Sequence, residues 1–228
     1  MTDQDDDDPL VLPLDDIRGA TLERAGGKGA SLARLAAAGL PVPPGFHLTT
    51  AAYHRFVAAH GLRESVLQAA STAAPDQPAT CEAAARKIAD LMAGQPMPEE
   101  VAQAISSAYA LMGEDVAVAV RSSATAEDLP EMSFAGQQET YLNIRGEAAV
   151  LEAVKRCWAS LWTARAIGYR ARHGIDPAGV SLAVVVQELV PADAAGVMFT
   201  ADPLTGDRNR DQRGVGAGRG DRQRPGHA

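Results

Sequence analysis

A change of pattern at Asp115 restricts the possible folds more than any other feature of the 228 residues. Before it, Ala-rich segments carry apolar residues at helical spacing. After it, short runs of β-branched residues alternate with one long helical pattern. Helices first and strands later predict an α+β (mixed α/β) fold with its sheet in the second half. Aromatic residues are only 4% of the chain, so the core must consist mainly of Ala, Val and Leu.

Periodicity and turn residues predict the individual elements. Thr49 and Thr50 offer N-caps for one of the helices. The predicted helices cover Ala30–Ala36, Thr50–His60, Thr80–Met92, Glu99–Met112 and Glu147–His173. The predicted strands cover Val116–Val120, Glu139–Ile144, Ser181–Val190 and Gly196–Ala201.

Composition along the chain predicts four parts. Residues 1–12 begin with a run of Asp and are expected to be a disordered acidic tail. Residues 13–112 are expected to form a mainly helical subdomain, and residues 113–206 a subdomain with a mixed sheet. Residues 207–228 contain no Leu, Ile, Met or aromatic residue, so a disordered tail is expected there too.

The net charge of −8 argues against a general binder of nucleic acid or anionic membranes, although a few local cations can still hold a phosphate. The N-terminal residues have no signal-peptide pattern, and no apolar run is long enough for a bilayer. A cytoplasmic protein is therefore expected. Cys81 and Cys157 lie far apart and have neither metal-ligand nor disulfide spacing.

Gly26-Gly27-Lys28-Gly29 precedes a predicted helix. Glycines allow the backbone to approach a phosphate, a helix N-terminus attracts anions, and Lys28 adds a compact cation. The spacing is not that of a Walker A loop. Such a triplet on its own is also compatible with a plain turn.

Arg121 follows an apolar run and is predicted to end a buried strand, where its guanidinium could hold a phosphate. It could equally pair with Glu127 or Asp128 to fix the loop. In the segment Ser133–Thr140, Gly136 permits a close backbone approach and Thr140 could donate to a phosphate oxygen. Alternatively, the glycine is only a turn that opens a strand.

Gln187 lies near the end of the predicted strand Ser181–Val190. Its carboxamide could bond an adenine edge, or it could mark the point where the strand reaches water. His47 and His54 flank a helix start and are expected to be surface or packing residues.

Five motifs occur in a fixed order and together resemble one family. They are Gly-Gly-Lys-Gly-Ala-Ser-Leu, Gly-Leu-Pro-Val-Pro-Pro-Gly-Phe, Val-Arg-Ser-Ser-Ala-Thr-Ala-Glu-Asp, Ser-Phe-Ala-Gly-Gln-Gln-Glu-Thr-Tyr and Gly-Val-Met-Phe-Thr-Ala-Asp-Pro. The chain is similar, over roughly Leu14 to Arg208, to the N-terminal PEP/pyruvate-binding domain of phosphoenolpyruvate synthase, pyruvate phosphate dikinase and rifampicin phosphotransferase.

The resemblance implies an ATP-grasp-like domain that binds ATP with Mg²⁺. In that family a histidine on a separate domain receives the β-phosphoryl group of ATP and passes it to pyruvate or a rifamycin. Carried over by motif, Lys28 and Arg121 would hold phosphates, with Arg121 also acting in transfer. Gly136 and Thr140 would line the phosphate loop, and Gln187 would contact the base or ribose.

The family's later acidic residue and Gln-x-Arg element have no counterpart here, and none of the five histidines stands in the setting of a phosphocarrier. Kinase activity is therefore expected only together with the missing carrier and acceptor domains, which another chain could supply. A stand-alone ATP-binding or partner-binding module and an inactive fragment are the alternatives. The motifs do not choose between pyruvate and a rifamycin.

The C-terminal sequence suggests a change of reading frame. One permitted set of codons for Asp211–Ala228, read one base later, encodes Ile-Asn-Ala-Ala-Trp-Gly-Leu-Gly-Glu and beyond. That segment resembles the family's usual continuation. A frameshift near Arg210 is therefore expected, and sequencing the gene tests it.

Overall fold

The computed structural model describes residues 8–125, 139–196 and 201. The chain up to Leu189 is one unit, and the residues from Val190 onward belong to another. All helices and strands described below lie in the first unit. The predicted strand Gly196–Ala201 and the predicted tail 207–228 lie almost wholly or wholly outside the described residues.

A five-stranded antiparallel sheet organises the first unit. Its strands are β1 (Val11–Pro13), β2 (Gly45–Leu48), β3 (Val118–Ala124), β4 (Thr140–Ile144) and β5 (Leu182–Glu188). The order across the sheet is β1-β2-β5-β3-β4. The last strand in sequence is therefore central and joins the early strands to β3.

The helices are α1 (Leu22–Ala37), α2 (Thr50–Ala59), α3 (Leu62–Ser71), α4 (Pro78–Ala93), α5 (Glu99–Met112), α6 (Glu147–Ser160) and α7 (Ala164–His173), with a 3-10 turn at Pro177–Gly179. Four of them connect β2 to β3, and two connect β4 to β5. These long connections let neighbouring strands be distant in sequence.

Strand register divides the side chains between two faces of the sheet. Residues paired across antiparallel strands point to the same face. The face that carries Val120 and its partner Val186 is apolar and belongs to the main core. The opposite face carries polar side chains and is covered by α1, which contacts β2, β3 and β5.

Aromatic residues fill the core on the helical side despite their small number. Trp158 is fully buried, and its ring lies 5.2 Å from that of Phe56 and 6.1 Å from that of Tyr53. The indole N–H of Trp162 donates to the Tyr53 hydroxyl at 3.1 Å. This cluster joins α2 to α6 and to the residues that precede α7.

The predicted α+β class is confirmed, but the sheet is not confined to the second half. β1 and β2 come from the first 48 residues, and β2 pairs with β5 from beyond residue 113. The sheet therefore spans the predicted boundary between residues 112 and 113. Residues 8–12, assigned to the acidic tail, are also ordered, because Leu12 is buried and Asp8 pairs with Arg24 at 2.6 Å.

Two helix predictions were wrong in detail. The pattern over Glu147–His173 forms two helices, because the chain turns after Ser160 and Thr163 caps α7 by accepting from the Ala166 amide at 3.3 Å. Helix α3 was not predicted at all.

No helix within the described ranges is long and apolar enough to cross a bilayer.

Candidate functional site

The glycine motif forms a kink inside α1 rather than a loop before it. Thr21 caps the first turn, and Gly26 then leaves helical geometry with φ 68° and ψ 177°. That conformation is open essentially only to glycine. The segment from Gly27 onward therefore starts a second helical stretch, and the Gly29 amide near its beginning faces Ser123 of β3.

Three hydrogen bonds attach this kink to β3. The Lys28 ammonium donates to the Ser122 carbonyl at 2.9 Å, and the Gly29 amide donates to the Ser123 hydroxyl at 3.2 Å. The Ser123 hydroxyl in turn donates to the Ala25 carbonyl at 2.7 Å. The motif is thus held in one position against the strand that carries Arg121.

Arg121 lies in the middle of β3, not at the end of a strand. The prediction was wrong because the residues that follow continue the strand, pairing Ser122 with Val184 and Ser123 with Ala183. Their hydroxyls are buried and hydrogen-bonded to backbone carbonyls, so strand pairing outweighs their turn preference. Arg121 itself is partly exposed.

Thr140 stands directly opposite Arg121 in the β3–β4 pair. Side chains at such a position have Cβ atoms about 4.5–5.5 Å apart and share a face. Thr140 is exposed, so its hydroxyl is accessible. An arginine and an accessible hydroxyl therefore lie side by side at the edge of the sheet.

Gln187 lies on the same face, on the neighbouring strand. It pairs with Ala119, two residues before Arg121, so the two residues are diagonal neighbours with Cα atoms about 7–8 Å apart. Gln187 is buried, and its carboxamide nitrogen donates to the Pro43 carbonyl at 3.1 Å. That bond uses one of its two N–H groups.

The structure thus brings four of the five predicted site residues to one region. The Lys28 ammonium contacts the residue next to Arg121, and Arg121 shares the α1-covered face with Thr140 and Gln187. Gly136 lies outside the described residues. Two cations, a hydroxyl and a carboxamide in this region are suited to an anionic ligand with a polar ring.

A further cation lies near this end of the sheet but on the other face. The Arg156 guanidinium stacks on the Tyr141 ring at 4.1 Å from its centroid. Next to Arg156 in α6, Cys157 is fully buried. Burial, and secondarily the Glu139 carboxylate, raise the pKa of Cys157 to about 12, although Arg156 and Lys28 oppose this. Cys157 therefore stays a thiol and is no nucleophile.

A cleft of 1020 Å³ lies elsewhere, between α2, α3 and the 3-10 turn. It is lined by apolar side chains such as Val57, Leu67 and Val180, and Tyr53 and Trp162 also line it. None of the four described site residues lines it. Within the described ranges, no three His, Cys, Asp or Glu residues are grouped closely enough to hold a metal ion.

Comparison with known proteins identifies a family for this chain. Residues 22–216 match the family model described as the pyruvate phosphate dikinase AMP/ATP-binding domain. The chain belongs to this family. The match to the pyruvate phosphate dikinase AMP/ATP-binding domain covers α1, the whole of β2 to β5, and every predicted site residue.

Curated relatives of the pyruvate phosphate dikinase AMP/ATP-binding domain family are much longer than this chain. A phosphoenolpyruvate synthase of Aeropyrum pernix is 47% identical over 209 residues, which is 88% of this chain and 25% of that protein. A rifampicin phosphotransferase of a Streptomyces species is 45% identical over 213 residues, 93% of this chain and 25% of that protein. The chain therefore spans about a quarter of the length of these relatives.

Sequence reasoning missed the residues that anchor the family's glycine motif. Ser122 and Ser123 looked like loop residues, yet one offers its carbonyl to Lys28 and the other its hydroxyl to Gly29. It also treated His47 as an ordinary surface or packing residue. His47 is fully buried beneath Gly29. The apolar run that predicted the strand ends at Val120, and the polar residues after it give no local signal that the strand continues.

Proposed function

We propose that this chain is the ATP-binding portion of a dikinase-type phosphotransferase, with the nucleotide held on the α1-covered face of the sheet. The observation that carries the proposal is the bond from the Lys28 ammonium to the carbonyl of Ser122, the residue that follows Arg121. A triphosphate placed there meets two cations at once. Membership of an AMP/ATP-binding family supports a nucleotide as the ligand.

Each residue has a distinct task in the proposed site. Lys28 and Arg121 neutralise the phosphates, and Arg121 stabilises charge that develops during phosphoryl transfer. Thr140 donates to a phosphate oxygen, and Gly136 lets the phosphate loop approach closely. Gln187 contacts the base or ribose. On the same face of the sheet it lies farther than Thr140 from Ser122, the residue that Lys28 contacts.

The helix start in α1 adds to this cation pair. Backbone amides at the beginning of a helix attract anions, and the kink at Gly26 creates such a start beside β3. We propose that Mg²⁺ accompanies ATP. Such an ion is held largely by phosphates and water with one or two carboxylates, so a three-residue protein cluster is not required.

In the proposed reaction the β-phosphoryl group of ATP passes to a histidine on another domain and AMP leaves, while one water molecule cleaves the β–γ bond and releases the γ-phosphoryl group as phosphate. An acceptor, pyruvate or a rifamycin, then takes the group. The names of the relatives, phosphoenolpyruvate synthase and rifampicin phosphotransferase, support these two acceptors. Our proposal for these 228 residues is nucleotide binding, and the transfer steps also require a carrier domain and an acceptor domain.

Calorimetric titration with Mg-ATP tests the site. Lys28→Ala and Arg121→Ala should each weaken binding about 10- to 100-fold, because each removes a charge-assisted contact worth ~1.5–3 kcal/mol. Arg34→Ala is the matched control, since Arg34 is an exposed cation on the same helix, bonded to Ser31 at 3.0 Å. It should bind ATP as the unmodified chain does.

Titration with AMP separates the two ends of the site. AMP lacks the outer phosphates, so Lys28→Ala and Arg121→Ala should affect it less than ATP, whereas Gln187→Ala should weaken both nucleotides similarly. Circular dichroism must show that each variant is folded. ATP binding that none of the three substitutions weakens would refute the assignment.

A further inference from the structure

His47 is a histidine buried beneath the glycine motif. It lies in β2 on the polar face and is fully buried. Its Nε2 is 3.3 Å from the Leu14 carbonyl. A carbonyl only accepts, so Nε2 carries the hydrogen and Nδ1 is the unprotonated nitrogen. Nδ1 is buried and has no hydrogen-bond partner within the described residues.

Gly29 lies directly against that unprotonated nitrogen. A Cβ at Gly29 would be 3.0 Å from Nδ1 and 3.3 Å from the neighbouring ring carbon Cε1 of His47. The same glycine donates its amide to Ser123, and Lys28 before it donates to Ser122. The ring of His47 therefore supports, from below, the segment that carries the proposed phosphate-binding lysine.

We propose that His47 positions Gly26–Gly29 against β3 and does so only while its imidazole is neutral. The proposal rests on the nucleotide site proposed above and adds a positioning residue to it. A proton on Nδ1 would lie in the buried space next to Gly29, where the described residues offer no acceptor. The unpaired N–H and its charge would be buried, a cost that moving the glycine segment away from the ring relieves.

The charges around His47 do not compensate for this cost. Burial lowers the pKa of His47, and the Leu14 carbonyl and Asp16 carboxylate oppose this less strongly. Lys28 from α1 and Arg121 from β3 are cations, so neither offers a negative charge to a protonated His47. Protonation is therefore disfavoured in the folded chain, and it becomes important only below the ordinary histidine pKa of 6.5.

Amide hydrogen exchange measured by NMR tests the proposal without any nucleotide. As the pH falls from 7.5 to 5, Gly29 amide protection should decrease relative to an amide in the β3–β5 ladder. Because His47 binds only one proton, Gly29 protection can decrease by at most about tenfold for each pH unit. In His47→Gln, whose side-chain amide can still donate to the Leu14 carbonyl, the ratio of Gly29 protection to that of the ladder amide should stay constant.

His60→Gln is the matched control. His60 also lies 2.8 Å from a backbone carbonyl, that of Pro96, but it is only partly buried and lies at the end of α2. This variant should behave as the unmodified chain does. If Gly29 protection stays constant down to pH 5 in the unmodified chain, or falls equally in His47→Gln, the proposal is wrong.

Mg-ATP titration over the same pH range then connects His47 to the proposed function. The Kd of the unmodified chain should rise more steeply toward acid pH than that of His47→Gln, and the variant corrects for titration of ATP itself. If the Kd depends on pH equally in the unmodified chain and in His47→Gln, His47 has no role in nucleotide binding, and the proposed nucleotide site is unaffected. If ATP does not bind at pH 7.5, the nucleotide proposal fails, and hydrogen exchange still decides the part played by His47.

Discussion

Gly26 is the residue on which the geometry of the glycine motif depends most directly. Its φ of 68° and ψ of 177° break α1 into two helical stretches. A Cβ at this position would be only 2.3 Å from the Ser123 carbonyl oxygen. Both the backbone conformation and the contact with β3 therefore require glycine, which explains why the lysine two residues later can reach the strand.

Gly26→Ala should lower the free energy of unfolding by more than about 2 kcal/mol, since strain and a backbone collision add together. Gly39→Ala is the matched control, because Gly39 has φ 75° but no atom lies within 4 Å of the place that an alanine methyl group would take. It should cost about 1 kcal/mol from strain alone. Urea unfolding measures the loss of stability in both variants. Equal losses would show that the collision with Ser123 does not contribute to the destabilisation.

Helix and strand limits show what local sequence can and cannot predict. Buried Leu62, Val66, Ala69 and Ala70 of α3 follow helical spacing, so periodicity could have located that helix. β1 could not be found in this way. It has three residues and ends in Pro13, and only pairing with β2 makes it a strand.

The candidate site was predictable by residue type but not by geometry. Motif order singled out Lys28, Arg121, Thr140 and Gln187, and register places the last three on one face. The contact of Lys28 with Ser122 spans 94 residues of sequence, and His47 meets Gly29 only because β2 lies beneath α1. No pattern within a short window contains those contacts.

The break between α6 and α7 depends on a capping residue. Thr163→Ala removes the acceptor for the Ala166 amide and should lower the free energy of unfolding by about 1 kcal/mol. Thr163→Ser keeps a hydroxyl at the same place and should have little effect. Thermal unfolding of both variants tests this, and equal stability of the Ala and Ser variants would show that the cap contributes nothing.

At the scale of the whole molecule, the sheet combines the two halves of the first unit. β2 pairs with β5, and β5 pairs with β3, so the early and late strands share one ladder. The main core likewise includes Phe46 from β2 and Trp158 from α6. Neither half can retain its part of the sheet and core alone.

Residues 8–189 should therefore unfold in one cooperative transition. Fluorescence of Trp158 and Trp162, which reports on the helical side, should follow the same urea curve as far-UV circular dichroism. Two separate transitions would instead support independent subdomains divided near residue 112. Val101→Ala, a core substitution on α5 at a fully buried position, should shift both curves together.

The central place of β5 also has a consequence for synthesis of the chain. The side chain of Gln187 bonds to Pro43 across 144 residues, and β2 has no partner toward the sheet centre until β5 exists. A ribosome must therefore release nearly the whole first unit before the sheet can close. Until then the backbone edge of β2 that faces the sheet centre is unpaired, so the nascent polypeptide should fold slowly and benefit from chaperones during translation.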